Sequence, residues 1–114
     1  MVNKYYRQLS TKRYSREHEW LIIDEEKNEA EIGISEFAKN QLGDIVYIEF
    51  PEANAQFNEG ESAGQMESVK TVGEIIMPLS ATILQINQQV QDDTSLLNHN
   101  SENTWLLKVK LAAG

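Results

Sequence analysis

Lys70 is the only base between Asn40 and Leu107, a stretch that holds ten acids. An unmodified lysine offers a charge and three donors. Acylated by another enzyme, it becomes the root of a long flexible arm, and a small protein with a swinging cofactor is a group carrier. Other reactive side chains are scarce. Cysteine is absent, which excludes a disulfide scaffold, a thiol nucleophile, an iron–sulfur site and any thiolate zinc site. His18 and His99 stand far apart in sequence, so a histidine-rich metal site is not indicated. No glycine loop of the phosphate-cradling kind is present.

The neighbourhood of Lys70 breaks a local rule. Gln65 to Glu74 lies between two strand candidates, so the chain must reverse near Val69-Lys70. Tight hairpins favour Asn-Gly or Gly-X, because their primed turns need positive φ. A β-branched valine resists that conformation. Places where local chemistry disagrees with the expected fold are candidates for function. The plainer reading is a lysine that keeps a turn or sheet edge soluble.

The elements that must position this lysine read as a small β protein. Trp20–Ile23 is a short apolar run, and Asp24–Asn28 turns the chain. Ala30, Ile32 and Ile34 alternate with Glu29, Glu31 and Gly33, the period of a half-buried strand. Ser35 caps a short helix with Phe37, Ala38, Gln41 and Leu42 at helical spacing, and Gly43 stops it. Ile45–Phe50 is a strand with Val46, Ile48 and Phe50 on one face. Glu61–Glu67 and Val72–Met77 flank the lysine turn. Ala81–Val90 reads mostly as strand, Gln91–Glu102 as loop with a helical turn, and Trp105–Leu111 as a last strand. Trp20 and Trp105 are expected as core anchors. Gly43-Asp44-Ile45-Val46 echoes Gly73-Glu74-Ile75-Ile76, a weak repeat that would also fit a sandwich of two related halves. The fold class is mostly β: a flattened barrel or barrel-sandwich hybrid of two antiparallel sheets with one or two short helices.

The 114 residues make one domain and carry a net charge of −8. A duplex binder needs a basic face, so nucleic acid is not an expected partner. No apolar run approaches the ~18 residues of a membrane span. The signs are segregated. Residues 1–16 hold five bases and no acid. Residues 1–15 read as a flexible basic segment, either a mitochondrial-type targeting remnant or a solvated N-terminus, and residues 16–114 as the folded domain.

Around Lys70 the sequence resembles the glycine cleavage system H-protein family of lipoyl carriers. Glu67-Ser68-Val69-Lys70 matches that family's lipoylation motif. Further matches follow in the family's order: Glu17-His18-Glu19-Trp20, Ile32-Gly33-Ile34 with Leu42-Gly43-Asp44-Ile45-Val46, Pro78-Leu79-Ser80, Ile86-Asn87, Leu97-Asn98 and Trp105. The likeness covers roughly residues 13–111. Biotin carriers bracket their lysine with methionines and 2-oxoacid dehydrogenase lipoyl domains present Asp-Lys-Ala; here the neighbours are Val69 and Thr71.

The resemblance implies lipoate joined to Lys70 as an amide, by a lipoate ligase or a lipoyl or octanoyl transferase. It implies a non-catalytic component that shuttles an aminomethyl intermediate from the pyridoxal-phosphate enzyme glycine decarboxylase to aminomethyltransferase. Dihydrolipoamide dehydrogenase then reoxidises the dithiol. Glu19 and Glu74 fall on family positions that hold the loaded arm in a cleft. The implied setting is a mitochondrial matrix or related organelle, with bacterial cytoplasm as the alternative, and the implied state is a monomer. The competing roles are a lipoate relay for 2-oxoacid dehydrogenases and a cofactor-free interaction module. The family's glycines before the late Trp and after Pro-x-Ser are Thr104 and Ala81 here. Many members continue into an acidic C-terminal helix, whereas this sequence stops at Gly114, which puts contacts through such a helix in question.

Overall fold

The computed structural model describes residues 7–9 and 12–112. They form two antiparallel sheets, the architecture expected, and neither sheet closes on itself. The strands are β1 Arg7–Leu9, β2 Lys12–Tyr14, β3 Glu19–Asp24, β4 Glu29–Ile34, β5 Ile45–Glu49, β6 Gln56–Phe57, β7 Ser62–Ser68, β8 Val72–Ile76, β9 Ala81–Ile86 and β10 Leu107–Leu111. Seven of them pair in the order β1-β2-β3-β4-β10-β9-β6 and three in the order β5-β7-β8. Three short α-helices accompany them, α1 Glu36–Leu42, α2 Gln88–Asp92 and α3 Ser95–His99, with a 3-10 turn at Ser101–Asn103.

Alternation in β4 does what its period requires. Ala30, Ile32 and Ile34 face the core while Glu29 and Glu31 reach the surface. Leu21, Ile83, Leu107 and Val109 join them from the large sheet, and Ile45, Ile48, Met66 and Ile75 from the small one. Each such side chain contributes about 1.5–3 kcal/mol on burial. Trp20 anchors the core edge as expected. Its indole lies against Gly33, where a Cβ would come within 2.3 Å of the ring, and its Nε1–H donates to the Ser101 carbonyl at 2.9 Å. The Ser35 cap also forms: its Oγ accepts from the Ala38 N–H at 3.1 Å, and Gly43 ends the helix at φ 89°.

Several expectations are corrected. Trp105 is only half-buried and sits under the Lys108 ammonium, 4.6 Å from its ring centroid. It precedes β10, and Leu106 takes the buried position instead. In β5 Ile48 faces the core and Phe50 packs against it as expected, but Ile45 takes the place expected of Val46, because a bulge between Ile45 and Tyr47 turns both Val46 and Tyr47 outward. β9 stops at Ile86: the Asn87 side chain donates to the Trp105 carbonyl at 2.7 Å, its own carbonyl accepts from Val90 and Gln91, and Val90 is buried from α2. The stretch read as loop with a helical turn holds the end of α2, all of α3 and the 3-10 turn, which gives three α-helices in place of one or two. Thr104, in place of the family glycine, donates its hydroxyl to the Asn100 carbonyl at 2.6 Å, behind α3.

Lys12–Tyr14, assigned from composition to a flexible segment, is a strand paired with Trp20–Ile22 of β3. Glu102 clasps it. Its carboxylate accepts from the Tyr14 hydroxyl at 2.6 Å, from Lys12 at 3.3 Å and from the Glu36 N–H of α1 at 2.6 Å. Burial alone would raise the Glu102 carboxyl, but these hydrogen bonds outweigh it and hold it below its ordinary value. The rest of the basic segment proposed as a targeting remnant, apart from residues 7–9, lies outside the described residues.

Candidate functional site

The reversal at Lys70 is made without positive φ. Among the described residues only His18, Asn28 and Asn54 adopt it outside glycine. Instead Ser68 builds the turn. Its Oγ accepts from the Lys70 N–H at 3.3 Å and the Thr71 N–H at 3.0 Å, while its own N–H donates to the Thr71 carbonyl at 2.8 Å. Such serine-based turns satisfy the donors that a primed turn would use. The Val69 N–H donates to the Asp44 carbonyl at 3.2 Å, which ties the tip to the start of β5. Replacing Ser68 by Ala is expected to speed exchange of the Thr71 amide several-fold and to leave the Met66 amide protected, because only the solvated tip loses its partner. Equal acceleration at both, followed by NMR, would show that Ser68 supports the whole hairpin.

Lys70 is exposed at this apex, with no salt bridge to it among the described residues. Its stem lies over Gly43, where a Cβ would come 3.1 Å from Cε. Next to it, Leu42 covers Gly73, where a Cβ would fall 2.7 Å from a leucine methyl. The C-terminal end of α1 is thus packed on the base of the hairpin. Its other end reaches β3: the Ser35 N–H donates to the His18 carbonyl at 2.9 Å, and the His18 ring packs on Phe37 with centroids 4.5 Å apart. β8 starts from the same place, with Gly73 under Leu42, and its Ile76 N–H reaches Glu19. Helix and strand each cover about 10 Å between those ends. The echoing segments Gly43–Val46 and Gly73–Ile76 therefore lie on the two strands that flank β7, one glycine under Lys70 and the other under Leu42.

Glu19 sits at the far end of this frame. It is only 4% exposed, and its Oε1 accepts from the Ser15 hydroxyl at 2.5 Å. Burial pushes its carboxyl up to about 7 from an ordinary 4.5. Ser15 and the backbone N–H groups of Glu19 and Ile76 pull it down, while the Glu17 charge adds to the rise. A buried acid with no salt bridge among the described residues is the group that a docked cation would complete.

Glu67 and Glu74 are both exposed on the outer face of the small sheet. Glu67 lies opposite Tyr47 and Val72, and Glu74 opposite Gln65. Glu74 precedes Ile76 by two residues, but no hydrogen bond joins it to Glu19 among the described residues. The structure therefore gathers Glu67, Ser68, Val69 and Lys70 at one tip and places Glu19 apart from them. Ser15 and Leu42 were not singled out as site residues from the sequence, since only the pairing of β2 with β3 and the packing of α1 bring them in. Asn98 of the matched Leu97-Asn98 pair has a structural role: its amide bonds both the N–H and the carbonyl of Ile45, at 2.8 and 2.9 Å. A polar pocket of about 150 Å³ between α1 and α3, lined by Lys39, Asn98 and His99 among others, does not include Lys70.

The family model described as glycine cleavage H-protein matches residues 12–113. Two proteins named glycine cleavage system H protein, from two strains of Staphylococcus epidermidis, are 44% and 43% identical over 101 residues, covering 88% of this chain and 79% of theirs. The crystal structure of a glycine cleavage system H protein from Mycobacterium marinum superposes with a TM-score of 0.85 at 31% identity, covering 93% of this chain and 87% of that one. These relatives are bacterial and lend no support to a mitochondrial setting. With nearly its whole length matched and the motif lysine displayed at a hairpin apex, the chain belongs to the glycine cleavage H-protein family.

Proposed function

We propose that this chain is a lipoyl-lysine carrier of the glycine cleavage system, with lipoate held in amide linkage on Lys70. The observation that carries the reading is the exposed, unpaired amine at the apex of a hairpin whose sequence is Glu67-Ser68-Val69-Lys70. Attachment joins the Lys70 Nζ to the carbonyl carbon of an activated lipoyl group. The bond to its nucleotide or thiol leaving group breaks, and the nitrogen gives up a proton. The formal charge then moves from −8 to −9. When bound, lipoate supplies a dithiolane that accepts the aminomethyl fragment of glycine and can be reoxidised.

The chain's own residues suit such an arm. Gly43, lacking a side chain, lets the lysine stem lie down toward α1. Leu42 and Gly73 floor the space beside it. Glu19 waits as a buried, readily protonated acid at the far end, and ionises when an ammonium comes beside it. Glu74 adds negative charge on the same stretch of β8. The chain supplies no catalytic group. Its partners are glycine decarboxylase, aminomethyltransferase, dihydrolipoamide dehydrogenase and a lipoate ligase or lipoyl or octanoyl transferase, met as a monomer in a bacterial cytoplasm. The reading is tested by incubating the lipoylated chain with glycine decarboxylase and glycine. Intact mass is expected to gain one aminomethyl group, with exchange of labelled carbon dioxide into glycine. Neither signal, with modified chain and active enzyme present, would sink it.

A further inference from the structure

Four of the eight large apolar side chains exposed among the described residues surround the lysine hairpin: Val46 at 56%, Tyr47 at 51%, Val69 at 73% and Val72 at 55%. Single exposed apolar residues need no explanation, but a contiguous group does. Register brings two of these into one row, on either side of a carboxylate. Tyr47 lies opposite Glu67, which lies opposite Val72, in one row across the outer face of the small sheet. Glu49, Gln65 and Glu74 form the next row. The Val69 N–H donates to the Asp44 carbonyl, two residues before Val46. The β5 bulge is what turns Val46 and Tyr47 out together, since plain alternation would bury one of them.

We propose that this face docks the enzyme that acylates Lys70. The inference rests on the carrier reading above and adds to it the surface that enzyme grips. An enzyme that reaches the Lys70 Nζ must seat the hairpin tip, and the apolar patch is continuous with that tip. Glu67 stands within it and Glu49 and Glu74 at its rim, and no base other than Lys70 occurs between Asn40 and Leu107. The complementary partner surface is an apolar floor edged with lysine or arginine, which would speed encounter and fix orientation.

The test is the initial rate of lipoyl transfer to the full chain by a purified lipoate ligase with ATP and lipoate, read by intact mass. In Val46→Ser/Tyr47→Ser the transfer KM is expected to rise tenfold or more with kcat nearly unchanged, and in Glu49→Lys several-fold. Leu84→Ser, at a site 42% exposed on the other sheet, is expected to behave as wild type. Circular dichroism and melting confirm that each variant is folded. A Val46/Tyr47 variant within twofold of wild type overturns the proposal, as does an equal loss in Leu84→Ser. Unchanged lipoylation with impaired carbon dioxide exchange would hand the face to glycine decarboxylase and likewise overturn it. A wild-type chain that accepts no lipoyl group at all would instead refute the carrier reading.

Discussion

Lys70→Arg is expected to take up no lipoyl group under conditions in which the wild-type chain is fully converted. Arginine keeps the positive charge and most of the length, so any role that needs only a cation at the tip survives. It loses the nucleophile, because the guanidinium stays protonated at any pH the protein tolerates and its electrons are delocalised. The fold is insulated from the change. The turn is held by the Ser68 hydroxyl and by backbone bonds to Thr71 and Asp44, none of which uses the Lys70 side chain. Stability is expected to stay within about 0.5 kcal/mol of wild type, the usual range for an exposed site. Intact mass after incubation with ligase, ATP and lipoate reads the result directly. A residual gain of one lipoyl group would mean that another amine, such as that of Lys108, is the true acceptor.

Glu19→Gln is expected to stabilise the protein, and by an amount that depends on pH. The native carboxyl titrates near 7, above its ordinary 4.5. Between those values the native state holds a proton that the unfolded chain has released. Wild-type stability from this group is therefore fully present below pH 4.5 and falls as pH rises through 7. Glutamine has the same shape and carries no charge, so it avoids the loss. The difference between variant and wild type is expected to be near zero at acid pH and to reach roughly 3 kcal/mol above pH 8. Urea unfolding of both proteins across that range checks it, and comparing the two cancels the opposite contribution of carboxyls held low, such as Glu102. A difference that does not change with pH would mean that the buried acid is not what titrates. In the lipoylated, glycine-loaded chain the same substitution removes the counter-charge for an ammonium, so loss of the aminomethyl group is expected to quicken. A stabilised fold that keeps its load less well would be the signature of an acid retained for its ligand.

Much of this architecture is legible in residue order. The β4 alternation, the Ser35 cap, the Gly43 stop and the turn at Lys70 depend on side chains within a few positions of one another, and each falls where expected, although Ser68 rather than positive φ makes the turn. The misreadings share a cause. Continuing a local period misplaces Val46, Trp105 and the end of β9. In each case a distant partner interrupts it: β7 through the bulge, the Ile32 carbonyl by accepting the N–H of the buried Leu106 at 2.7 Å, and the Trp105 carbonyl by capturing Asn87. Lys12–Tyr14 is the same case at larger scale, a polar segment made a strand by β3 and by Glu102, ninety residues from Lys12.

The sequence by itself determined which atom can carry a group. An amine is an amine wherever it lies, and the motif Glu67-Ser68-Val69-Lys70 needs only adjacent residues to be read. Only the tertiary structure decided the state of Glu19 and the shape of the face around Lys70. A carboxyl is half protonated near pH 7 because of how much water surrounding elements exclude, and side chains from separate strands share one row because of how strands register. Neither quantity is a property of neighbours along the chain, since both arise only when segments far apart in it are brought together.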